Sequence, residues 1–215
     1  MSSELKLYAV GTVAEDLIVG NKSIKVQLHE IMNNVDGEIG NDNNISSNVT
    51  SSDGKVYSVN MNSSGTVPAV WLKNNSNRVT PPNVRKGEKV EVWRLGSTDK
   101  YYWKTMSDEL DLRKLEHVKW VFVNTKVEGE TRIDDSNSYS FTISTLNKLV
   151  SLKTAENDGE FTSYKIELDT KEGVLEIIDG RGNFLKLNSR DDGFTINTNN
   201  KVDIISTNEA NVITK

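Results

Sequence analysis

Apolar and polar residues alternate with period two along most of this chain. Ile24, Val26 and Leu28 alternate with Lys25, Gln27 and His29, and Val90 and Val92 alternate with Lys89, Glu91 and Trp93. Successive side chains of a strand point to opposite faces, so the pattern predicts strands with one wet face. In the first half such runs span Leu5–Val13, Ser23–Ile31, Val56–Met61, Ala69–Leu72, Lys89–Leu95 and Lys100–Met106. Between the second and third lies a polar stretch, 33–54, rich in Asn, Ser, Asp and Gly. It reads as a loop long enough to signal function or mobility. Five or six strands with turn signals between them predict a small closed β-barrel over residues 1–106.

Residues 107–137 read as a connector. Ser107 is placed to N-cap a short helix running through Leu115, with Asp108 and Glu109 in its first turn. Leu112 and Leu115 would face a barrel end, and Trp120–Val123 would return as a strand. No Pro/Gly/Ser-rich linker occurs here, which predicts a stiff join.

Over 138–215 the texture changes again. Short alternating runs begin at Tyr139, Val150, Tyr164, Val174, Phe184, Phe194, Val202 and Val212, and from Ile166 onward their starts fall eight to ten residues apart. Gly, Asp and Asn fill the turns, including 169–173, 179–182, 189–193 and 197–201. A near-constant spacing marks a one-dimensional stack in which each layer meets only its neighbours. Each run offers two or three inward apolar side chains, such as Leu185 and Leu187. At about 25 cal/mol per Å² these contribute a few kcal/mol per strand. Ordering the backbone costs roughly 1–2 kcal/mol per residue. One thin sheet also leaves a face open, and repeats this short do not wrap around a core of their own. Copies facing a common axis would close that face, and three is the expected number.

Composition narrows the reading. The chain has 215 residues and only 35% hydrophobic positions, with a mean hydropathy of −0.52. That is sparse for a self-sufficient globule and fits a core completed by other subunits. There is no cysteine, so disulfides and thiolate metal sites are excluded. Met1 to Leu7 carries no apolar signal region and no long apolar span follows, so assembly in a cytoplasm is expected. The net charge of −5 argues against general nucleic-acid binding.

Two segments carry a resemblance. The first is the barrel stretch Arg78-Val-Thr-Pro-Pro-Asn-Val-Arg-Lys-Gly-Glu-Lys-Val-Glu-Val-Trp-Arg-Leu-Gly, followed by Asp99-Lys-Tyr-Tyr-Trp103. The second comprises the repeats Ile166-Glu-Leu-Asp, Gly173-Val-Leu-Glu-Ile-Ile-Asp, Gly182-Asn-Phe-Leu-Lys-Leu-Asn and Gly193-Phe-Thr-Ile-Asn-Thr. In this order they resemble the central spike proteins of contractile phage tail baseplates, relatives of type VI secretion spikes. The resemblance implies an all-β chain: an OB-fold-like barrel over 1–106, a connector over 107–137, and a trimeric intertwined β-helix, the needle, over 138–215. It further implies a homotrimer docked on the baseplate hub at the end of the tail tube. Such a trimer would be part of the virion and would be driven through the host envelope without catalysis of its own. Some relatives carry a hydrolase domain between barrel and needle, and this connector is too short for one. Some end in a His-x-His metal tip, whereas this chain has only His29 and His117. A separate protein capping the C-terminal end is the corresponding expectation.

Other chemistry is weighed against plainer roles. Trp71, Trp93, Tyr101, Tyr102 and Trp103 lie among Arg78, Arg85, Lys86, Lys89, Arg94, Lys100 and Lys104, which on a barrel would suit a single-stranded nucleic-acid platform. Residues 1–110 hold 12 Lys+Arg against 13 Asp+Glu, so no positive field supports that reading. Barrel core and rim are the favoured roles. His29 and His117 lack partners at metal-ligand spacing. Asp134–Asp135 and Asp191–Asp192 adjoin turns, where Asp binds its own backbone. Phosphate loops, nucleophile elbows and zinc motifs are missing, so no catalytic, cofactor or metal residue is assigned and no enzyme is expected. A nucleic-acid-binding module with an oligomerising tail is the alternative, and a glycan-directed tail fibre a more distant one.

Overall fold

The computed structural model describes residues 4–29, 42–50, 54–74, 77–106, 115–125, 133–211 and 213. The chain is all-β: fourteen strands and no helix among the described residues. It divides into two units, 1–118 and 119–215. The division falls inside the stretch read from sequence as the connector.

In the first unit, β1 (Leu5–Val13), β2 (Ser23–Leu28), β5 (Val67–Trp71), β6 (Lys89–Leu95) and β7 (Tyr101–Thr105) form a closed barrel in the order β1-β2-β5-β7-β6. All pairs are antiparallel except β5 with β7. The alternation seen in sequence fills the interior. Ile24, Val26 and Leu28 from β2, Val90 and Val92 from β6, and Trp103 from β7 are buried together. Gly11 shows why β1 cannot carry a side chain at that point. A Cβ there would fall on Val26 Cγ1 and 2.8 Å from the Gln27 carbonyl.

The run at Val56 is not a barrel strand. It belongs to β4 (Val56–Ser64), which pairs along its whole length with β3 (Asp42–Thr50) as a separate two-stranded ribbon between β2 and β5. The expected loop over 33–54 is therefore corrected at 42–50. Backbone pairing there is formed by a sequence of Asn and Ser that alternation does not reveal. Residues 33–41 and 51–53 of that loop lie outside the described residues, as does 107–114 of the expected helix. Leu115, its expected last residue, has φ of 54° and is exposed. It neither continues a helix nor faces a core.

The second unit is one sheet in which sequence neighbours are spatial neighbours. It contains β8 (His117–Val123), β9 (Ser138–Ser144), β10 (Leu149–Lys153), β11 (Tyr164–Asp169), β12 (Val174–Asp179), β13 (Phe184–Asn188) and β14 (Gly193–Asn197), with every pair from β9 to β14 antiparallel. Six of the eight predicted runs are strands. The run at Val202 is not one, and Val212 lies outside the described residues.

Candidate interaction surface

The register of the second sheet stacks apolar residues into two adjacent columns on one face. One column runs Phe141, Leu152, Ile166, Ile177, Leu185, Ile196. The other runs Ile143, Val150, Leu168, Leu175, Leu187, Phe194. Period two within each strand puts both columns on the same side. Ten of these twelve remain exposed, from Phe141 at 37% to Phe194 at 62%. Together they form a continuous run of exposed apolar side chains across six strands, the kind of patch that marks an interaction surface and not a lone exposed residue. At one end, Ile143, Val150 and Leu168 line a shallow depression of about 200 Å³ with Lys148 and Thr170 at its rim.

The opposite face is mixed: Leu149, Val174, Ile178 and Phe184 lie on it, partly buried, among charged and small polar residues. Lys165 reaches Glu167 at 3.5 Å and Glu176 at 3.0 Å, separating two carboxylates that the register places directly opposite. Lys153 pairs with Asp135 at 2.9 Å, and the hydrogen bond from Lys153 holds the Asp135 carboxyl below its ordinary range. Ser140, Thr142, Ser144 and Ser151 are buried on this face. The two-column face is the more continuously apolar and the more exposed of the two.

Polar side chains fix the hairpin ends. Asp169 Oδ1 accepts from the backbone of Lys171 and Glu172, both at 2.9 Å. Asp179 Oδ1 accepts from Arg181 and Asn183, both at 2.9 Å, and its pKa is lowered chiefly by the Asn183 side chain. Asn188 Oδ1 accepts from Arg190 at 3.1 Å. Nearer β8, Trp120 stacks on Phe141 with centroids 5.7 Å apart. Glu160 draws a loop inward by accepting from the Asn157 and Asp158 backbone, Asn124 Nδ2 and Tyr139 Oη. The Asp158 amide foremost, then the Asn124 side chain and the Glu160 and Asn157 amides, lower its pKa to about 2. A carboxylate so saturated is a structural pin and a poor base.

The residues weighed as a nucleic-acid platform divide between the barrel interior and its strands' other face, with Trp93 opposite Tyr102 and Arg94 opposite Tyr101. Trp103 is fully buried with Nε1 donating to the Lys22 carbonyl at 3.1 Å, and Trp71 is buried beside it. Trp93 Nε1 donates to Glu91, and Lys104 Nζ lies 4.7 Å from the centre of its ring. Arg94 lies over Tyr8 and Tyr101 at 5.2 and 5.7 Å. Arg78 is paired with Glu116 and Arg85 with Asp16.

His29 follows β2, its ring bonded to Thr12 Oγ1, while His117 opens β8. Among the described residues no three His, Cys, Asp or Glu side chains gather where a metal would bind. Asp134 bonds the Ser136 amide in its own turn, and Asp191 accepts from Asn188 Nδ2.

No known protein family and no curated protein matches this sequence. The fully described surface that stands out chemically is the two-column apolar face. Sequence reasoning found its strands but not Glu160, which sits in an Asn/Gly loop without periodicity.

Proposed function

We propose that this chain is the structural central spike of a contractile phage tail baseplate: a trimeric needle docked on the tail hub that pierces the host envelope. The observation that carries the reading is the exposed apolar face of a seven-stranded meander following a closed five-stranded barrel. The barrel order β1-β2-β5-β7-β6, with β5 parallel to β7, supports an OB-fold-like domain. The meander supports a β-helical needle in which three copies turn their apolar faces to a common axis and their opposite faces to water. A hub protein at the barrel and a separate protein at the C-terminal end are the proposed partners, with the virion as its place. No catalysis is assigned. The ion pairs of Arg78, Arg85 and Arg94 and the burial of Trp71 and Trp103 favour this reading over nucleic-acid binding.

Size-exclusion chromatography with light scattering tests it. The expected mass is 72.0 kDa, three times the 24.0 kDa of one chain, with elongated particles by negative-stain microscopy. A folded species of 24.0 kDa at micromolar concentration would overturn the proposal.

A further inference from the structure

Strands β11, β12 and β13 each end on Asp169, Asp179 or Asn188, whose side-chain oxygen accepts the amide two residues on. That contact starts the reversal that lays the next strand alongside. β14 also ends on such a residue, Asn197, but its side chain is used differently. Asn197 Nδ2 donates to the Gly182 carbonyl at 3.1 Å, and Asn199 donates through its amide to Asn183 Oδ1 at 2.9 Å and through Nδ2 to the Arg181 carbonyl at 2.7 Å. The chain therefore leaves β14 across the mouth of the β12–β13 turn, away from the free edge of β14.

The segment it leads into still has the pattern of a ladder strand. Strands start at 174, 184 and 193, and the next apolar run starts at 202. Val202 and Ile204 alternate with Lys201 and Asp203, yet no strand forms there, and Ile204 and Ile205 are 78% and 90% exposed. An edge strand with unpaired backbone groups and a strand pattern with no edge thus occur side by side, held apart by Asn197 and Asn199.

We propose that residues 201–206 of one copy pair with the free edge of β14 on a neighbouring copy, as a strand passed between chains. The proposal rests on the reading that copies assemble through the apolar face. Added this way, Val202 and Ile204 continue the two columns past Ile196 and Phe194, while backbone hydrogen bonds supply affinity. Each chain gives a tail and receives one, a head-to-tail contact that closes when the copies form a ring.

The absence of cysteine permits a direct test. Chains carrying Thr195→Cys are co-expressed with chains carrying Lys201→Cys, Asp203→Cys or Ile205→Cys and then oxidised. A disulfide requires Cα atoms about 4.4–6.8 Å apart, so a two-chain product at one tail position and not at its neighbours is expected. Cross-linking only when both cysteines are in one chain, giving a one-chain product, overturns the exchange; so does no cross-link at any position. A chain ending at Asn200 should still associate but dissociate at lower temperature, and an unchanged dissociation temperature counts against the proposal. Light scattering on the same samples separates the two readings. Oligomers without the cross-link remove the exchanged strand alone, whereas a monomer removes the spike reading with it.

Discussion

Ile166 on β11 stands directly opposite Ile177 on β12, and each keeps about two-fifths of its surface open to water (42% and 40%). A pair in the middle of a sheet would normally be covered by a second layer. Replacing Ile166 with Lys puts a charge where copies are expected to meet, and an unpaired charge removed from water is strongly unfavourable. The expected outcome is a fall in light-scattering mass to that of one chain, with the far-ultraviolet circular dichroism of strands retained. Lys186→Ala, on the opposite face, should leave the mass unchanged.

Glu160 gives a prediction in pH. Its folded pKa, about 2, lies below the roughly 4.3 of an unfolded glutamate. A depressed carboxyl stabilises the fold above its unfolded pKa, and that contribution is lost as pH falls toward the folded value. Thermal stability should therefore drop between about pH 4.5 and 2, more steeply in the native chain than in Glu160→Gln. At neutral pH the variant should melt at a lower temperature, since Asn157, Asp158, Asn124 and Tyr139 lose a charged acceptor. Equal slopes in differential scanning calorimetry would dismiss Glu160 as the pin of this loop.

Gly11 has no room for a methyl group between Val26 and the Gln27 carbonyl. Gly11→Ala should destabilise the barrel by about 1–3 kcal/mol, the range for overpacking a core. Denaturant titration followed by tryptophan fluorescence reads this, because Trp103 is buried in the same barrel.

Asp192 has φ of 50°, in the region where a neighbouring hairpin uses Gly182 at 87°. Asp192→Gly removes the steric penalty of a side chain in that conformation but frees the unfolded chain. The net expectation is a gain of no more than about 1 kcal/mol, measured by thermal melting. Asp192→Val should lose more than that, because a β-branched residue fits this region poorly.

Where alternation was strong, the strands could be read to the residue. β1 and β6 have the bounds expected from sequence, since their apolar positions face a buried core. β3 was invisible because Asp42–Thr50 carries mainly Asn and Ser, and its pairing runs through backbone groups that leave no hydropathy trace. The run at Val202 misled for the opposite reason. Its hydropathy is that of a strand, but the chain leaves β14 with Asn197 bonded to the Gly182 carbonyl and forms no strand at 202, a path that spacing does not encode. The apolar face was legible from the alternation of Ile166, Leu168, Leu185 and Leu187. The aromatic and basic cluster was not, since neighbours in sequence such as Tyr102 and Trp103 point to opposite sides of the barrel wall.

The side-chain locks at Asp169, Asp179 and Asn188 repeat one device at successive hairpins, and each turn is also tied to a neighbouring turn or strand, as Thr170 is to the Lys148 carbonyl and Ser189 to the Gly173 carbonyl. Such a sheet behaves as a ruler. Inserting a matched pair of strands with their turns would restore chain direction and keep the apolar columns in phase, lengthening the stack by about 9–10 Å at the usual strand spacing. Duplication or loss of roughly twenty residues would then change length in steps without any new packing solution.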